Sequence, residues 1–259
     1  MPFAVLAALF FVTAVLYAAV GFGGGSTYNA LLVLNGTDYR VLPAIALTCN
    51  IVVVSGGLWR FSRSGHVRAG AMVPFLAASM PAAWVGGRVP VSETLFVGLL
   101  GAALLVSGLR LAVQSGPGET AETRQETALA VALPVGAAIG LLAGLVGIGG
   151  GIFLAPVLYL MRWGTPREIA AGCSLFILAN SLSGLTGQVM KLQDLAILSL
   201  AADYWALPLI VLVGGQIGSW AATRGLKPGW VKRLTAILIL YVAARLIWEW
   251  LALMGWRGA

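Results

Sequence analysis

The chain alternates between long apolar stretches without charge and short polar joints. No charged residue falls within 1–37, 41–59, 69–87, 94–109, 127–161, 169–190 or 204–223, and 234–254 holds only Arg245 and Glu249. These stretches are near or above the roughly 20 residues that a helix needs to cross the hydrocarbon core. Alternation of period two is absent, which disfavours a transmembrane barrel. The pattern predicts an all-α integral membrane protein with about eight transmembrane helices.

Two of the stretches, 1–37 and 127–161, are too long for one plain crossing, and each is interrupted by glycine. Gly21, Gly23, Gly24 and Gly25 break the first; Gly147, Gly149, Gly150 and Gly151 break the second, 126 residues later. Each glycine costs a helix about 1 kcal/mol relative to alanine, so clusters of this density unwind it locally. Backbone groups freed at membrane depth must face protein or a water-filled cavity. Matched breaks in two halves of a membrane protein point to a transport site.

Other features repeat in the same order. At the same spacing Thr48 falls on Ser174 and Ser55 on Ser181; after a small gap, Gly86-Gly87 matches Gly214-Gly215. Leu109-Arg110-Leu111 resembles Ala244-Arg245-Leu246. The polar run QSGPGETAETRQET separates the copies. The chain therefore divides into a first four-span repeat over 1–113, a linker over 114–127 and a second four-span repeat over 128–259. An even number of spans per repeat makes the repeats parallel, related by an axis along the membrane normal. That holds if each glycine-broken first segment crosses once; if the chain turns back after the glycines, both span count and orientation change.

Composition agrees with a membrane protein and changes one detail. The chain is 59% hydrophobic and only 10% charged, against about 25% charged in soluble domains. The net charge of +7 does not imply a nucleic-acid partner, because the basic residues sit in joints between spans, where they set topology. Arg60, Arg63 and Arg68 mark one joint; Arg224, Lys227, Lys232 and Arg233 mark another. With eight plain spans these two joints fall on opposite faces and orientation stays open. The first stretch lacks a basic leader and its pattern recurs in mid-chain, so it reads as structure rather than a signal peptide. Trp59, Trp84, Trp163, Trp220, Trp230 and Trp256 lie near span ends, where interfacial aromatics gather.

The chemistry comes from the breaks. Residues 26–34 and 152–160 would start new helices whose first N–H groups lack partners and carry the positive end of the dipole. Together they can hold a small anion without a charged side chain. Polar groups lie at similar places beyond them: Tyr28 and Asn29 after the first break, Thr48, Asn50 and Ser55 in the next segment, and Ser174, Asn180, Ser181 and Ser183 in its counterpart. Thr48, Asn50, Ser174 and Asn180 are the expected hydrogen-bonding ligands. The competing readings are close helix packing for the glycines and interhelical bonding for the polar groups. Asp203 and Glu249 are the candidate carriers for proton coupling, although both lie near enough to span ends to snorkel. His66 falls in a basic joint. No metal-ligand spacing, nucleotide motif or cofactor motif is present, and Gly21-Phe22-Gly23-Gly24-Gly25 comes after no strand, so it is not a dinucleotide fingerprint. Cys49 and Cys173 read as small buried hydrophobes. A membrane enzyme acting through Cys173 is the rival reading, weakened by the lack of a neighbouring base or metal.

The run GFGGG, the run VGIGGGIFLAPVLYL, and the supporting AIALTCNIVVVSGG and AAGCSLFILANSLSG resemble the sulfite exporter TauE/SafE family, also called toluene sulfonate uptake permeases. The resemblance covers almost the whole chain. Its second motif, ending in Pro156, is the more specific, and the first departs from it, with Tyr28-Asn29-Ala30 where the second has Leu154-Ala155-Pro156. The resemblance implies a multi-pass permease of the bacterial inner membrane for sulfite, sulfonates or related organic anions. The expectation is a secondary transporter in which two four-span halves rock about a site between the breaks. No cofactor, metal or nucleic acid is expected. The partners are a small anion and the bilayer, and a homodimer stays open as the assembly.

Overall fold

The computed structural model describes residues 1–19, 21–113, 127–192, 200–223 and 228–255. Most of the polar linker, Arg224, Lys227 and Trp256 therefore lie outside the described residues. Ten helices are described: α1 (Phe3–Ala18), α2 (Gly25–Leu34), α3 (Leu42–Arg63), α4 (Ala69–Arg88), α5 (Glu93–Val113), α6 (Leu129–Val146), α7 (Gly151–Leu160), α8 (Pro166–Lys191), α9 (Ala206–Thr223) and α10 (Pro228–Leu253). No strand occurs among the described residues. Among the described residues five helical stretches are both long and apolar enough to cross a membrane: α3, α4, α6, α8 and Leu200–Ala221, which takes in most of α9.

The glycine breaks separate α1 from α2 and α6 from α7, as the sequence predicts. After each break the chain turns back. The Met1 amine donates to Asn35 Oδ1 at 2.9 Å, so the end of α2 lies at the face where α1 begins. Ten residues of helix rise only about 15 Å, half the bilayer. The second half does the same. Gly136, Gly140 and Gly144 of α6 pack in step on the carbonyls of Phe75, Ser79 and Ala83 of α4, so α4 and α6 run parallel and start at one face. Arg68, before α4, donates to the carbonyl of Trp163 at 2.6 Å, and its guanidinium lies 4.8 Å from the indole centroid. The chain leaving α7 is thus back at the face where α6 began.

The orientation of the repeats is accordingly corrected. With a return after each break, each half makes an odd net number of crossings, and the second half runs opposite to the first. α3 and α8 lie side by side and antiparallel: Leu47, early in α3, faces Gly184, late in α8. α5 and α10 pair the same way, with Gly98 against Trp250 and Gly101 against Ile247. The repeats are inverted, about an axis in the membrane plane. Ten uncharged residues after a glycine run look alike whether they finish a crossing or return, which is why composition did not separate the two.

The halves also exchange their fourth helices. Gly86 and Gly87 of α4 pack on Leu141 of α6 and Gly184 of α8; Gly214 and Gly215 of α9 pack on Phe11 of α1 and Val53 of α3. Small residues admit this backbone approach. The packing units are α1–α2–α3–α9 and α6–α7–α8–α4, and they meet along α3 and α8.

Inversion relocates the basic joints too. α9 runs parallel to α3, because Gly215 meets Val53 while Arg60 donates to Ser219 Oγ at 2.9 Å and Gln216 Oε1 at 2.9 Å. Both helices therefore end at one face. That face carries Arg60, Arg63, Arg68, Arg162 and Arg167, and α10 starts from it with Lys232 and Arg233 in its first two turns. The opposite face has Arg40, which is bridged to Asp38, with Arg88 and Lys191. The described ends of the helices flanking the two basic joints, α3, α4, α9 and α10, therefore lie at the same face, not at opposite faces.

Candidate functional site

Both breaks end in the same backbone device. Gly24 (φ +92°) caps α2 and Gly150 (φ +80°) caps α7, and neither helix has a side-chain cap on its first N–H groups. The left-handed conformation costs a side-chain-bearing residue about 1–2 kcal/mol, which accounts for glycine at both caps. α2 runs from the break to one face and α7 from the break to the other, so their positive ends are aimed inward at a common region.

Asn50 occupies that region. It is the ninth residue of α3, close to the helix midpoint, and is fully buried. Its carboxamide lies against Gly23 and Gly25 of the first break. A methyl on Gly149 of the second break would stand 3.0 Å from both Asn50 Nδ2 and Ser181 Oγ. Asn50 Oδ1, Asn50 Nδ2 and Ser181 Oγ are all buried without a hydrogen-bond partner. Unpaired polar atoms at this depth cost about 1–3 kcal/mol each, and these three leave hydrogen-bonding capacity open where the two breaks meet.

The other expected ligands are distributed differently. Ser174 Oγ donates to the Gly21 carbonyl at 2.8 Å and to Ala170 O at 2.9 Å. Asn29 Nδ2 donates to the carbonyls of Val146 (2.7 Å) and Gly147 (3.2 Å). These two side chains fasten the end of one half's broken helix to the other half, and Asn29 keeps a free, buried Oδ1. Thr48 turns its hydroxyl back onto Ala44 O at 2.8 Å. Asn180 Nδ2 bonds Phe176 O within its own helix at 2.9 Å, leaving Oδ1 unpartnered. Tyr28 stacks on Phe10 with centroids 4.7 Å apart, on the Gly24 side of α2. Pro156 sits half-buried in α7.

Gly21 and Gly147 are packing points. A methyl on Gly21 would stand 2.9 Å from Ala170 Cβ, and one on Gly147 would collide with Pro43. Each break thus abuts the start of the opposite half's long helix. Gly151 lies against Ile177. Asp203 is exposed in the turn before α9. Glu249 lines a cavity of about 410 Å³ with Asp38, Arg40 and Glu93 at the less basic face. The structure brings neither carboxylate to the breaks. Cys49 and Cys173 are buried free thiols. Among the described residues no group of His, Cys, Asp and Glu could hold a metal ion.

Ser181 stood among the polar groups of the second half but not among the four expected ligands, and Ile177, which walls Gly149 and Gly151, carried no signal in the sequence. Which face of α8 meets the breaks is a long-range property.

The profile of the family described as sulfite exporter TauE/SafE matches residues 6–246. The chain belongs to that family. It is 33% identical over 253 residues to a probable membrane transporter protein, y4hK, of Sinorhizobium fredii, covering 94% of this chain and 97% of that one. No solved structure matches. As a TauE/SafE member the chain is a multi-pass membrane transporter rather than an enzyme.

Proposed function

We propose that the chain is a secondary transporter of a small sulfur-containing oxyanion, sulfite or an organosulfonate, in the bacterial inner membrane. The observation that carries this is the meeting of two helix N-termini, each begun by glycine and without a side-chain cap, at the unpartnered Asn50 and Ser181. Such ends bind anions through backbone N–H groups and the dipole, and the family's name supplies sulfite as the substrate to test.

The basic face is assigned to the cytoplasm, in line with the excess of Lys and Arg in cytoplasmic joints. Access alternates through relative movement of the two exchanged packing units along the α3–α8 contact, where Asn50 and Ser181 lie. The sequence halves as cut at the linker do not serve as rigid bodies, since α4 and α9 are packed across the cut. An inside-negative potential favours exit of a monoanion by about 2.3 kcal/mol per 100 mV, enough for export without a coupled ion. Asp203 and Glu249, both away from the breaks, are not needed for it.

The test is flux in proteoliposomes containing the purified protein, with sulfite, sulfoacetate, taurine and acetate, with and without an imposed potential. Saturable flux of a sulfur oxyanion that responds to the potential is expected. Flux of acetate alone would replace the sulfur reading by a general organic-anion permease, and no flux of any would remove the site's assignment.

A further inference from the structure

We propose that the two breaks enclose one site rather than two, and that it takes a single monovalent oxyanion and rejects divalent ones. This rests on the transport reading above and names its substrate class.

The singleness of the site comes from where the duplication fails. An inverted pair of breaks could supply two equivalent sites if each had its own ligand. At the spacing that aligns the glycines, Asn50 falls on Phe176 and Asn180 on Val54. Asn180 is not among the nearest neighbours of any break glycine. One carboxamide therefore serves both breaks: Asn50 touches Gly23 and Gly25 on one side and Gly149 on the other, with Ser181 beside it. Both side chains are 0% exposed and both lack partners. A single polar side chain between the two helix starts makes them converge on one ligand position rather than two.

The valence comes from charge. None of the side chains nearest the break glycines is charged. What positive potential there is comes from the starts of α2 and α7, about half an elementary charge each. Together they match about one negative charge. A divalent anion would leave about one charge uncompensated in a dry, low-dielectric site, where such a charge is strongly disfavoured. Asn50 adds a second discriminator. Its Oδ1 is an acceptor without a donor; the acid hydrogen of hydrogensulfite can satisfy it, whereas a fully deprotonated dianion presents only lone pairs to it. Hydrogensulfite meets both conditions and a sulfonate the charge condition alone; the sulfite dianion and sulfate meet neither. Since no side-chain charge cancels the cargo, each turnover carries one negative charge across.

The experiment measures initial rates in proteoliposomes of the full chain with sulfite and with methanesulfonate, a permanent monoanion, as pH on both sides is raised together through the second ionisation of sulfurous acid. Sulfate is the competitor. Sulfite flux should fall about tenfold per pH unit above that ionisation, in step with the protonated fraction. Methanesulfonate flux should stay level, excess sulfate should inhibit neither, and the two substrates should compete with each other. Asn50→Asp, nearly isosteric, places a carboxylate against the ligand and should cost about a thousandfold in both fluxes at neutral pH, taking an effective dielectric of about 20 at about 4 Å. If Asn50→Asp fails to fold, the wild-type pH profile and the sulfate competition decide alone. Sulfite flux that rises with the dianion, inhibition by sulfate, or noncompetitive behaviour of the two substrates would overturn the single monovalent site and leave the transporter reading intact. Absence of flux for both substrates would overturn the sulfur-oxyanion reading on which this inference rests.

Discussion

The breaks at Gly21–Gly25 and Gly147–Gly151 share a backbone and differ in almost everything attached to it. Each has glycine caps in the left-handed region, an uncapped ten-residue return helix and a packing point on the opposite half. After the first, α2 opens with Ser26, Thr27, Tyr28 and Asn29, all buried. After the second, α7 opens with Ile152, Phe153, Leu154 and Ala155. The tethers differ as well. α2 reaches across with Asn29 to hold the end of α6, whereas the end of α1 is held from α8 by Ser174. The duplicated part is the part that needs no side chain, an inward-aimed helix start. Side chains have specialised, and they make the first break the polar, bonded one and the second the apolar one.

The largest expected effect comes from removing the shared part. Gly24→Leu forces a side chain into the left-handed region with Tyr28 3.0 Å from the new Cβ; Gly150→Leu does the same with Ile139 at 2.8 Å and Phe176 at 2.9 Å. Strain of about 1–2 kcal/mol and overpacking of about 1–3 kcal/mol should displace the helix starts while the bundle still inserts. Flux in proteoliposomes should fall to background in both, with normal gel-filtration profiles in detergent. Retained flux in Gly150→Leu alone would make the second break purely architectural.

The next prediction separates the packing units. In a chain with Cys49 and Cys173 replaced by serine, Leu47→Cys with Gly184→Cys places a bridge across the α3–α8 contact, where Leu47 Cδ1 lies 3.4 Å from a Cβ at Gly184. Met80→Cys with Ser183→Cys places one inside a single unit, where Ser183 Oγ donates to Met80 O at 2.6 Å. A bifunctional thiol reagent should stop flux in the first variant and spare it in the second. Equal inhibition would show that α4 does not travel with α8.

How much of this was legible depends on whether a feature is local. Charge-free stretches, the two glycine runs and the paired Gly86-Gly87 and Gly214-Gly215 are local, and they are enough for helices, breaks and duplication. Direction is not local. Nothing between Gly25 and Leu34 says that the chain turns back; the contact of Met1 with Asn35 does, and it joins residues 34 apart. Once direction is missed, the parallel relation and the split of the basic joints go wrong together as one error. Among candidate ligands, Asn50 was legible as a polar group in an apolar stretch, but its separation from Thr48 by two positions decides everything: a helix turns about 100° per residue, so one faces the breaks and the other faces its own backbone.

Asn29 and Ser174 sharpen the contrast between tethers at smaller cost. Asn29→Leu strips the Val146 and Gly147 carbonyls of a buried donor and should lower stability in detergent by about 1–3 kcal/mol, read as a fall in thermal midpoint, with reduced flux. Ser174→Ala loses one shared hydroxyl and should cost about 1 kcal/mol. A larger loss for Ser174→Ala than for Asn29→Leu would reverse which break depends on its tether.

The smallest effect is the most specific to the comparison. Thr48 and Ser174 are the matched hydroxyls of α3 and α8, so a symmetric site would penalise their removal equally. In the structure Ser174 reaches the opposite half and Thr48 only Ala44 of its own helix. A hydroxyl folded onto the carbonyl four residues back slightly destabilises and bends a helix rather than stabilising it. Thr48→Ala should therefore fall within about 0.5 kcal/mol of wild type and keep flux within about twofold, while Ser174→Ala loses measurably in both. Equal losses would restore Thr48 as a ligand and, with it, a second site related to the first by the inverted repeat.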